Sequence, residues 1–485
     1  MGQDQGVPAE FINAVFRRDT RIDLGFERYT LLSLLGSGGL GVVVKARKST
    51  GELVALKFLY NQEAKLAAET FERFKQEIKA TKMVGDISDA CVRVYECGLH
   101  EQVEGYRSVP FFAMEYVPGL SLEDFILLKE TPFTPREIYV IMRQIAAALE
   151  EIHDKGIVHR DIKPSNILFH ESRRVLKVTD FGISRDTVAR SDVTMPMPDG
   201  RPVILGTLNY LSRYYFDTVF IDEDDVTENE NGEQVRRSTG ERLCVSTDGR
   251  FYCAYKGRKL DLSVLASIIL FELTTCVNPY AGATFPAILT DILSGYKIDL
   301  RGFYRENPAR FHPGFRQHPT FLAAVEGIIR KGSTPVRAYS YNNARELVDD
   351  LDRAGTSVWE RLPGEAQMRE IMGILLGKTL VDEYERVLHR IERAVRNDTI
   401  AADRSNAARL ALLFKLKRCD RLMACIDLLH AKTAGIIRDS DGRRKDAYFY
   451  LGLWERLERF GIEVPYRHNT RRLKDSLDSR RKVST

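Results

Sequence analysis

Short apolar runs, broken by glycine and polar turns, fill the first part of the chain. Residues 29–59 hold three runs rich in Val and Leu, separated by a glycine cluster and by Ser49-Thr50-Gly51, and they predict three strands joined by two turns. Residues 71–84 are apolar at positions i, i+3 and i+7, which predicts an amphipathic helix. More strand-like sequence follows as far as Tyr116.

The apolar period changes to that of helices from about residue 120. In residues 134–156, Thr134 suits an N-cap, Pro135 the first helical position and Gly156 the stop. The chain after residue 356 has helical spacing throughout, except for a polar end that we expect to fray. The lead, residues 1–28, predicts only one or two helical turns, around positions 11–16.

Residues 222–233 hold seven acids and no base, which predicts a solvated loop. Just after it, Asp248-Gly249 stands between two β-rich arms and predicts a hairpin. If these two residues form the turn, Cys244 faces Cys253 across the strands. The pair is then either redox-sensitive or simply two packed thiols.

Composition places the chain among ordinary globular proteins. Of its 485 residues 44% are hydrophobic and 29% charged, so it can bury a sizeable core and is not mostly disordered. No stretch approaches 18 consecutive apolar residues and the start lacks a secretory pattern, so no membrane span or membrane partner is expected. Seven scattered cysteines make no disulfide framework and favour a reducing, cytoplasmic compartment.

The charge is uneven along the chain. Residues 361–485 hold 27 Lys and Arg against 18 Asp and Glu, a balance of +9, so the remaining residues carry −5 of the total of +4. A basic region of this kind could meet an acidic partner or nucleic acid, or could be a solvated helical surface. Cys419, Cys425 and His430 lack zinc-ligand spacing, and we expect them to be core residues of a helix.

A glycine cluster, Gly36-Ser37-Gly38-Gly39-Leu40-Gly41, lies between two predicted strands. With no helix after it, the cluster does not fit a dinucleotide-binding fold, but a glycine hairpin can bring backbone N–H groups close to phosphates. Fourteen residues after Val43, Lys57 ends an apolar strand run and needs an anionic partner. Glu77 on the next predicted helix is the first candidate, and the phosphate of a nucleotide is the second.

Two later segments complete a pattern. Residues 158–168 contain His159-Arg160-Asp161-Ile162-Lys163 and end in Asn166-Ile167-Leu168, and Asp180-Phe181-Gly182 begins 14 residues after Asn166. With the glycine cluster and Lys57, they resemble the eukaryotic-type (Hanks-type) serine/threonine protein kinase family over residues 29–355. The resemblance implies an α+β fold of two lobes, with a β-rich N-lobe and a helical C-lobe.

The resemblance also implies the roles of the polar residues. Lys57 would hold the α- and β-phosphates of ATP, oriented by Glu77, while Asp180 and Asn166 would bind Mg²⁺. Asp161 would accept the proton of the attacking hydroxyl. Lys163 would meet the γ-phosphate and, with Thr207, is typical of serine/threonine rather than tyrosine specificity.

The nucleotide base has an expected site as well. Met114 would be the gatekeeper, and the backbones of Glu115 and Val117 would pair with the adenine edge. Val43, Ala55 and Leu168 would enclose the ring. The phosphates would lie under the glycine loop, which comprises Leu35, Gly36, Ser37, Gly38, Gly39, Leu40 and Gly41.

The segment after Asp180 is expected to regulate the site. His159 is expected to be structural, packing against Phe181, and Arg160 could pair with a phosphorylated activation loop. Autophosphorylation there is a possibility that the resemblance raises. The candidate phosphosites in residues 183–205 are Thr187, Ser191 and Thr194.

The pattern departs from the family after this segment. Ser212-Arg213-Tyr214 stands where relatives have Ala-Pro-Glu, so the late Arg337 needs another acid, for which the insertion is our candidate. Asp261, the best match to the start of the next family helix, comes 47 residues after Tyr214 and one residue out of register against Glu272. Residues 217–258 are thus an insertion.

Single positions also differ from relatives. Thr81 replaces an apolar residue one turn beyond Glu77. Ser165 stands where kinases that prefer basic substrates often carry Glu, which argues against a simple preference for Arg upstream of the target. Arg236-Arg237-Ser238 and Arg480-Arg481-Lys482-Val483-Ser484 are weak candidate basic phosphosites, or plain surface.

We therefore expect a lead (1–28), a kinase domain (29–355) and an all-helical C-terminal domain (356–485). The expected activity is Mg²⁺- and ATP-dependent phosphorylation of an unidentified protein substrate, with the helical domain binding a partner or substrate. Two alternatives stay open. One is a pseudokinase-type scaffold, and the other is a kinase-fold enzyme acting on a small molecule, lipid or nucleic acid.

Overall fold

The computed structural model divides the chain into two compact units, residues 1–123 with 131–373, and residues 124–130 with 374–485. The sequence places the domain boundary earlier, at 355–356, and this boundary stays a prediction. The residues that the structure describes are 9–16, 20–23, 27–38, 41–60, 88–100, 109–129, 132–155, 158–159, 161–180, 208–210, 212, 223–230, 232, 234–238, 243–245, 251–253, 256–280, 287–288, 290–291, 298–334, 339–403, 405–438 and 444–458.

A six-stranded antiparallel sheet forms the first part of the first unit. Its strands are β1 (Arg21–Asp23), β2 (Arg28–Gly38), β3 (Gly41–Lys48), β4 (Leu53–Leu59), β5 (Val94–His100) and β6 (Val109–Glu115), in the spatial order β1-β2-β3-β4-β6-β5. The three strands predicted in residues 29–59 are confirmed. Alternating burial along β3 shows why, because every second side chain enters the core.

Helix α1 (Ala9–Val15) lies in the lead and buries Phe11, Ile12 and Val15 in the hydrophobic core of the sheet. The Phe11 ring meets Tyr60 edge-on, with ring centroids 4.9 Å apart. The predicted helical turns around positions 11–16 are therefore confirmed. The lead also supplies β1, which pairs with β2 and which the sequence pattern did not indicate.

Helices dominate the rest of the described first unit. Helix α2 (Leu122–Leu128) begins in the first unit but lies mostly in the second. Helix α3 (Pro135–Asp154) belongs to the first unit, and Thr134 caps it as the sequence predicts. Glu137 completes a capping box with Thr134, which the sequence analysis did not predict. A short hairpin, β7 (Ile167–His170) and β8 (Val175–Val178), follows. Further helices are α4 (Lys256–Ser263), α5 (Leu270–Thr275), α6 (Leu300–Glu306), α7 (Gly314–Gln317), α8 (Pro319–Ser333) and α9 (Ala344–Gly355).

Two short hairpins lie in the predicted insertion, β9 (Val226–Glu228) with β10 (Gln234–Arg236), and β11 (Leu243–Val245) with β12 (Phe251–Cys253). The expectation of a plain loop at 222–233 is wrong, because β9 falls within it. Asp225 explains part of this: it accepts bonds from Arg236 Nε at 2.6 Å and Ser238 Oγ at 2.8 Å.

The expected facing of Cys244 and Cys253 is also wrong. Cys244 pairs with Tyr252, and Cys253 pairs with Leu243. The observed register thus differs from the expected one by one residue. The predicted turn residues, Asp248 and Gly249, lie outside the described residues.

The second unit is helical in its described residues, as expected. After α10 (Glu365–Ile374), which lies almost entirely in the first unit, come a π turn (Leu375–Thr379), α11 (Leu380–Arg396), α12 (Ser405–Leu416), α13 (Asp420–Arg438) and α14 (Arg444–Glu458). Within this unit, Arg409 Nε donates to Leu127 O at 3.2 Å and Lys415 lies 3.2 Å from Asp124. These bonds attach the 124–130 segment to α12.

Residues of the second unit that the sequence singled out have core or capping contacts. Cys425 is buried in α13, and the His430 ring packs 4.5 Å from Trp454. The expectation is wrong for Cys419, which lies just before α13 rather than within a helix and is only half-buried, with its Sγ 3.7 Å from Tyr384 Oη. In the described part of the whole chain, no helix is long and apolar enough to cross a bilayer.

Candidate active site

The glycine cluster forms a tight connection between β2 and β3. Gly38 pairs with Gly41, and Leu35, Gly36 and Ser37 lie half-buried along β2, while Gly39 and Leu40 lie outside the described residues. A Cβ on Gly41 would lie 2.0 Å from the Phe58 carbonyl oxygen of β4. Glycine is therefore required at position 41 by the close approach of two strands.

Lys57 and Asp180 are in contact although they are 123 positions apart in the chain. The Lys57 Nζ lies 2.7 Å from Asp180 Oδ1, and the side chains are 10% and 28% exposed. Val43 of β3 is the cross-strand partner of Lys57. Asp180 has a φ of 60°, in the left-handed region that Asp tolerates better than most residues. Such a conformation is typical of functional sites, where surrounding contacts hold it.

The catalytic-loop residues converge on Asp161. Lys163 Nζ lies 3.0 Å from its Oδ2. Asn166, placed by a 3₁₀ turn (Pro164–Asn166), donates through Nδ2 to Asp161 O at 2.8 Å and to Asp161 Oδ2 at 3.2 Å. The Thr179 N–H donates to Asn166 O at 2.9 Å, which ties this loop to the residue preceding Asp180.

The His159 ring stabilises this loop through two hydrogen bonds. The ring is fully buried, with Nε2 2.8 Å from Thr179 O, and the Asp161 N–H donates to its Nδ1 at 3.2 Å. These two bonds are both satisfied when Nε2 carries the proton. Burial lowers the pKa of His159 below its usual value, which keeps the ring neutral.

Asp261 anchors the same loop. Its Oδ2 accepts the His159 N–H at 2.8 Å and lies 3.0 Å from His153 Nε2. The register problem against Glu272 has a structural cause, because residues Val264–Ile269 form a π turn between α4 and α5. A π turn takes up one extra residue, so the side chains beyond it are phased as if the helix were one residue shorter.

Glu272 is a functional residue candidate that sequence reasoning did not assign. It is buried and accepts the Tyr210 hydroxyl at 2.8 Å. Burial raises the pKa of this carboxyl to about 7, against the lowering effect of the Tyr210 bond. The sequence does contain a signal for this residue, because Glu272 is an acid inside the apolar run 268–273. An acid in such a run is expected to be buried, and a buried carboxyl needs a hydrogen-bond partner.

The expected adenine residues lie along β4, β6 and β7. Met114 is the cross-strand partner of Ala55, and both are buried, as is Val117 beyond the end of β6. Leu168 is half-buried on β7. The Glu115 N–H donates to Arg93 O at 2.8 Å, so an adenine contact through this residue would use its carbonyl oxygen.

Several expected site residues lie outside the described residues. These are Glu77, Thr81, Arg160, Phe181, Thr187, Ser191, Thr194, Thr207 and Arg337, together with the helix expected at 71–84. The sequence predicts Glu77 as the anionic partner of Lys57, and this pair stays a prediction. The partner of Lys57 in the described site is Asp180.

Comparison with known proteins identifies the domain. Residues 29–213 match the family model of the protein kinase domain. The chain is 36% identical over 199 residues to serine/threonine-protein kinase A of Synechocystis sp., covering 38% of this chain and 35% of that protein. It is 28% identical over 328 residues to the serine/threonine-protein kinase PrkC of Bacillus subtilis, covering 67% of this chain and 40% of PrkC.

Among solved structures, the PknI kinase domain of Mycobacterium tuberculosis aligns with a TM-score of 0.43 at 16% identity, covering 70% of this chain and 99% of that one. The chain spans between about a third and two-fifths of the length of the two curated relatives named above. Residues 29–213 are thus similar to protein kinase domains, and the resemblance to the serine/threonine kinase family is confirmed. The expected kinase fold is confirmed with it.

Proposed function

We propose that the protein transfers the γ-phosphate of ATP to a serine or threonine hydroxyl of a protein substrate, with Mg²⁺ as cofactor. The observation that carries this proposal is that two groups of charged and polar side chains are joined by a backbone hydrogen bond. Lys57 reaches Asp180 at 2.7 Å, while Lys163 and Asn166 surround Asp161. The bond from Thr179 to Asn166 links the two groups.

The residues present fit the cofactor. Asp180 offers a carboxylate and Asn166 an amide oxygen, and Mg²⁺ prefers such oxygen ligands, completed by phosphate and water. When bound, Mg²⁺ neutralises charge that develops on the phosphates. Lys57 would pair with the α- and β-phosphates. The position of its ammonium beside Asp180, a proposed Mg²⁺ ligand, supports this role.

Asp161 is the proposed base for the acceptor hydroxyl. The Asn166 amide holds its carboxylate, and Lys163, 3.0 Å away, would neutralise charge on the transferred phosphoryl group. The adenine would lie between Ala55, Val43 and Leu168 and pair with the backbone at Glu115 and Val117. The glycine loop, residues 35–41, would cover the phosphates.

The test incubates the full chain with labelled ATP and Mg²⁺, with a protein acceptor such as casein. Asp161→Asn and Asp180→Ala should each lower transfer by about 100-fold or more. Asp349→Asn, a matched change of a half-exposed acid on α9, should leave transfer unchanged. Label in the protein that both site variants abolish supports the proposal.

Other outcomes favour the alternatives. Nucleotide binding without turnover would favour a scaffold of the pseudokinase type. ATP consumption without labelled protein would favour a non-protein substrate. Wild-type label that survives in Asp161→Asn would contradict the assigned base.

Further proposals concern the helical C-terminal region, the segment 183–205 and the location of the protein. The +9 balance of residues 361–485 supports a partner for the helical C-terminal region with acidic character. Autophosphorylation in residues 183–205 and the cytoplasmic location both stay predictions. The protein substrate itself is named here only by its class.

A further inference from the structure

A buried ion pair lies behind the expected adenine site, and none of the roles given above uses it. Lys177 on β8 is fully buried, and its Nζ donates to Glu115 Oε2 at 2.8 Å. The Glu115 side chain is only 10% exposed. Burying two charges is costly unless each is well paired, so the pair needs an explanation beyond packing.

The Glu115 end of the pair belongs to the expected hinge. Glu115 ends β6 directly after Met114, and its backbone N–H donates to Arg93 O at 2.8 Å. Its carboxylate also accepts the Arg93 N–H at 3.3 Å and lies 3.8 Å from the half-exposed Arg173. The carboxylate therefore fixes the backbone at the point where adenine would bind.

The Lys177 end of the pair belongs to the strand that leads to Asp180. Only Val178 and Thr179 separate the two residues. The segment 90–93 lies between hinge and strand: Val92 N–H donates to Val178 O at 2.9 Å, and Val178 N–H donates to Ala90 O at 2.8 Å. Lys177 Nζ also donates to Cys91 O at 3.2 Å, so one ammonium bonds both the hinge and this segment.

We propose that Lys177 and Glu115 are positioning residues that hold the adenine end of the nucleotide site at a fixed distance from Asp180 at the phosphate end. This inference rests on the proposed function, since it assumes that ATP occupies the cleft. Neither side chain is proposed to touch the nucleotide. Rigid placement matters because a small displacement of a binding group can lower the rate by about 100-fold.

The test measures the Kd of Mg·ATP for the full chain, together with the KM for ATP and for the protein acceptor. Lys177→Met, which retains the length of the side chain, should raise the Kd and the KM for ATP by roughly tenfold and lower kcat, while the KM for the acceptor stays the same. Lys259→Met is the matched control, because Lys259 is also buried and its Nζ donates to Ser340 Oγ at 3.0 Å. It should lower the unfolding midpoint but leave the Kd unchanged.

Direct binding separates this inference from the proposed function. If the wild-type chain binds Mg·ATP but does not transfer phosphate, the proposed activity is refuted. The comparison of Kd values between wild type and variants still tests the positioning role in that case. An unchanged Kd in folded Lys177→Met, or an equal rise in Lys259→Met, would overturn the positioning role. Should Lys177→Met not fold, Glu115→Gln, which keeps the side-chain shape, takes its place: a Kd about threefold or more higher supports the role, and wild-type affinity refutes it. A wild-type chain that binds no Mg·ATP would overturn both.

Discussion

The buried carboxyl of Glu272 gives the first unit a defined pH dependence of stability. Burial raises its pKa from 4.5 to about 7 in the folded chain. A carboxyl whose folded pKa is raised holds its proton more tightly when folded, so its contribution is most favourable at low pH. Stability is lost as the pH rises from the unfolded pKa toward the folded pKa, between about 4.5 and 7.

The size of the loss follows from the pKa difference. A difference of about 2.5 units corresponds to about 3 kcal/mol above pH 7, and most of it, about 2–3 kcal/mol, falls between about pH 5 and pH 8. Glu272→Gln keeps an oxygen that can accept the Tyr210 hydroxyl but cannot ionise. We therefore expect this variant to gain about 2–3 kcal/mol relative to wild type when the pH is raised over the same interval.

The assay is urea unfolding of both full chains, followed by circular dichroism at several pH values from about 5 to 8. Tyr210→Phe is the companion variant. It removes the donor that stabilises the ionised carboxylate, so it should enlarge the loss at high pH rather than abolish it. A difference between wild type and Glu272→Gln that does not vary with pH would refute the reasoning.

Three further predictions concern packing. Phe11→Ala should destabilise the first unit by about 3–5 kcal/mol, because the ring is buried in the sheet core, and thermal unfolding measures this. Gly41→Ala should weaken Mg·ATP binding in a binding assay, since its Cβ would meet the Phe58 carbonyl oxygen and displace the turn. Deletion of Ala266 should convert the π turn to α-helix and lower the free energy of unfolding by less than about 2 kcal/mol. Deletion of Ala324 from the regular helix α8 should rotate the rest of that helix by about 100° and lower the free energy of unfolding far more, and urea unfolding measures both.

Each of these has an outcome that contradicts it. Wild-type stability of Phe11→Ala would mean that α1 does not support the sheet. Undiminished nucleotide affinity in Gly41→Ala would show that the turn tolerates a side chain. Equal damage from the two deletions would mean that the π turn is not an accommodated extra residue.

The sequence predicts local structure well where one period dominates. The three strands in residues 29–59 follow from runs rich in Val and Leu between glycine and polar turns, and the cap of α3 follows from Thr134 with Pro135. The register between β11 and β12 was less predictable, because the Asp-Gly pattern does not fix it, and a shift of one residue changes the cross-strand partner of both cysteines. The strand β1 is too short to show a pattern.

The proposed site residues were named from the sequence, because the motifs that resemble a protein kinase contain the side chains that phosphoryl transfer requires. Their partners were not. Lys57 lies 2.7 Å from Asp180, a pair that the sequence did not predict, while the predicted pair with Glu77 lies outside the described residues and stays a prediction. Likewise, nothing near Glu272 in the chain indicates Tyr210, since the two are 62 residues apart.

The sequence by itself therefore determined the resemblance to protein kinases and the order of the motifs that carry it, while only the tertiary structure decided which charges of the described residues are paired. Hydrophobic periodicity and motif order depend on neighbouring residues, so they are legible along the chain. Burial of Lys177 against Glu115 and the phase shift at Val264–Ile269 depend on how distant segments pack. A charged residue acquires its partner and its pKa only when the fold removes it from water.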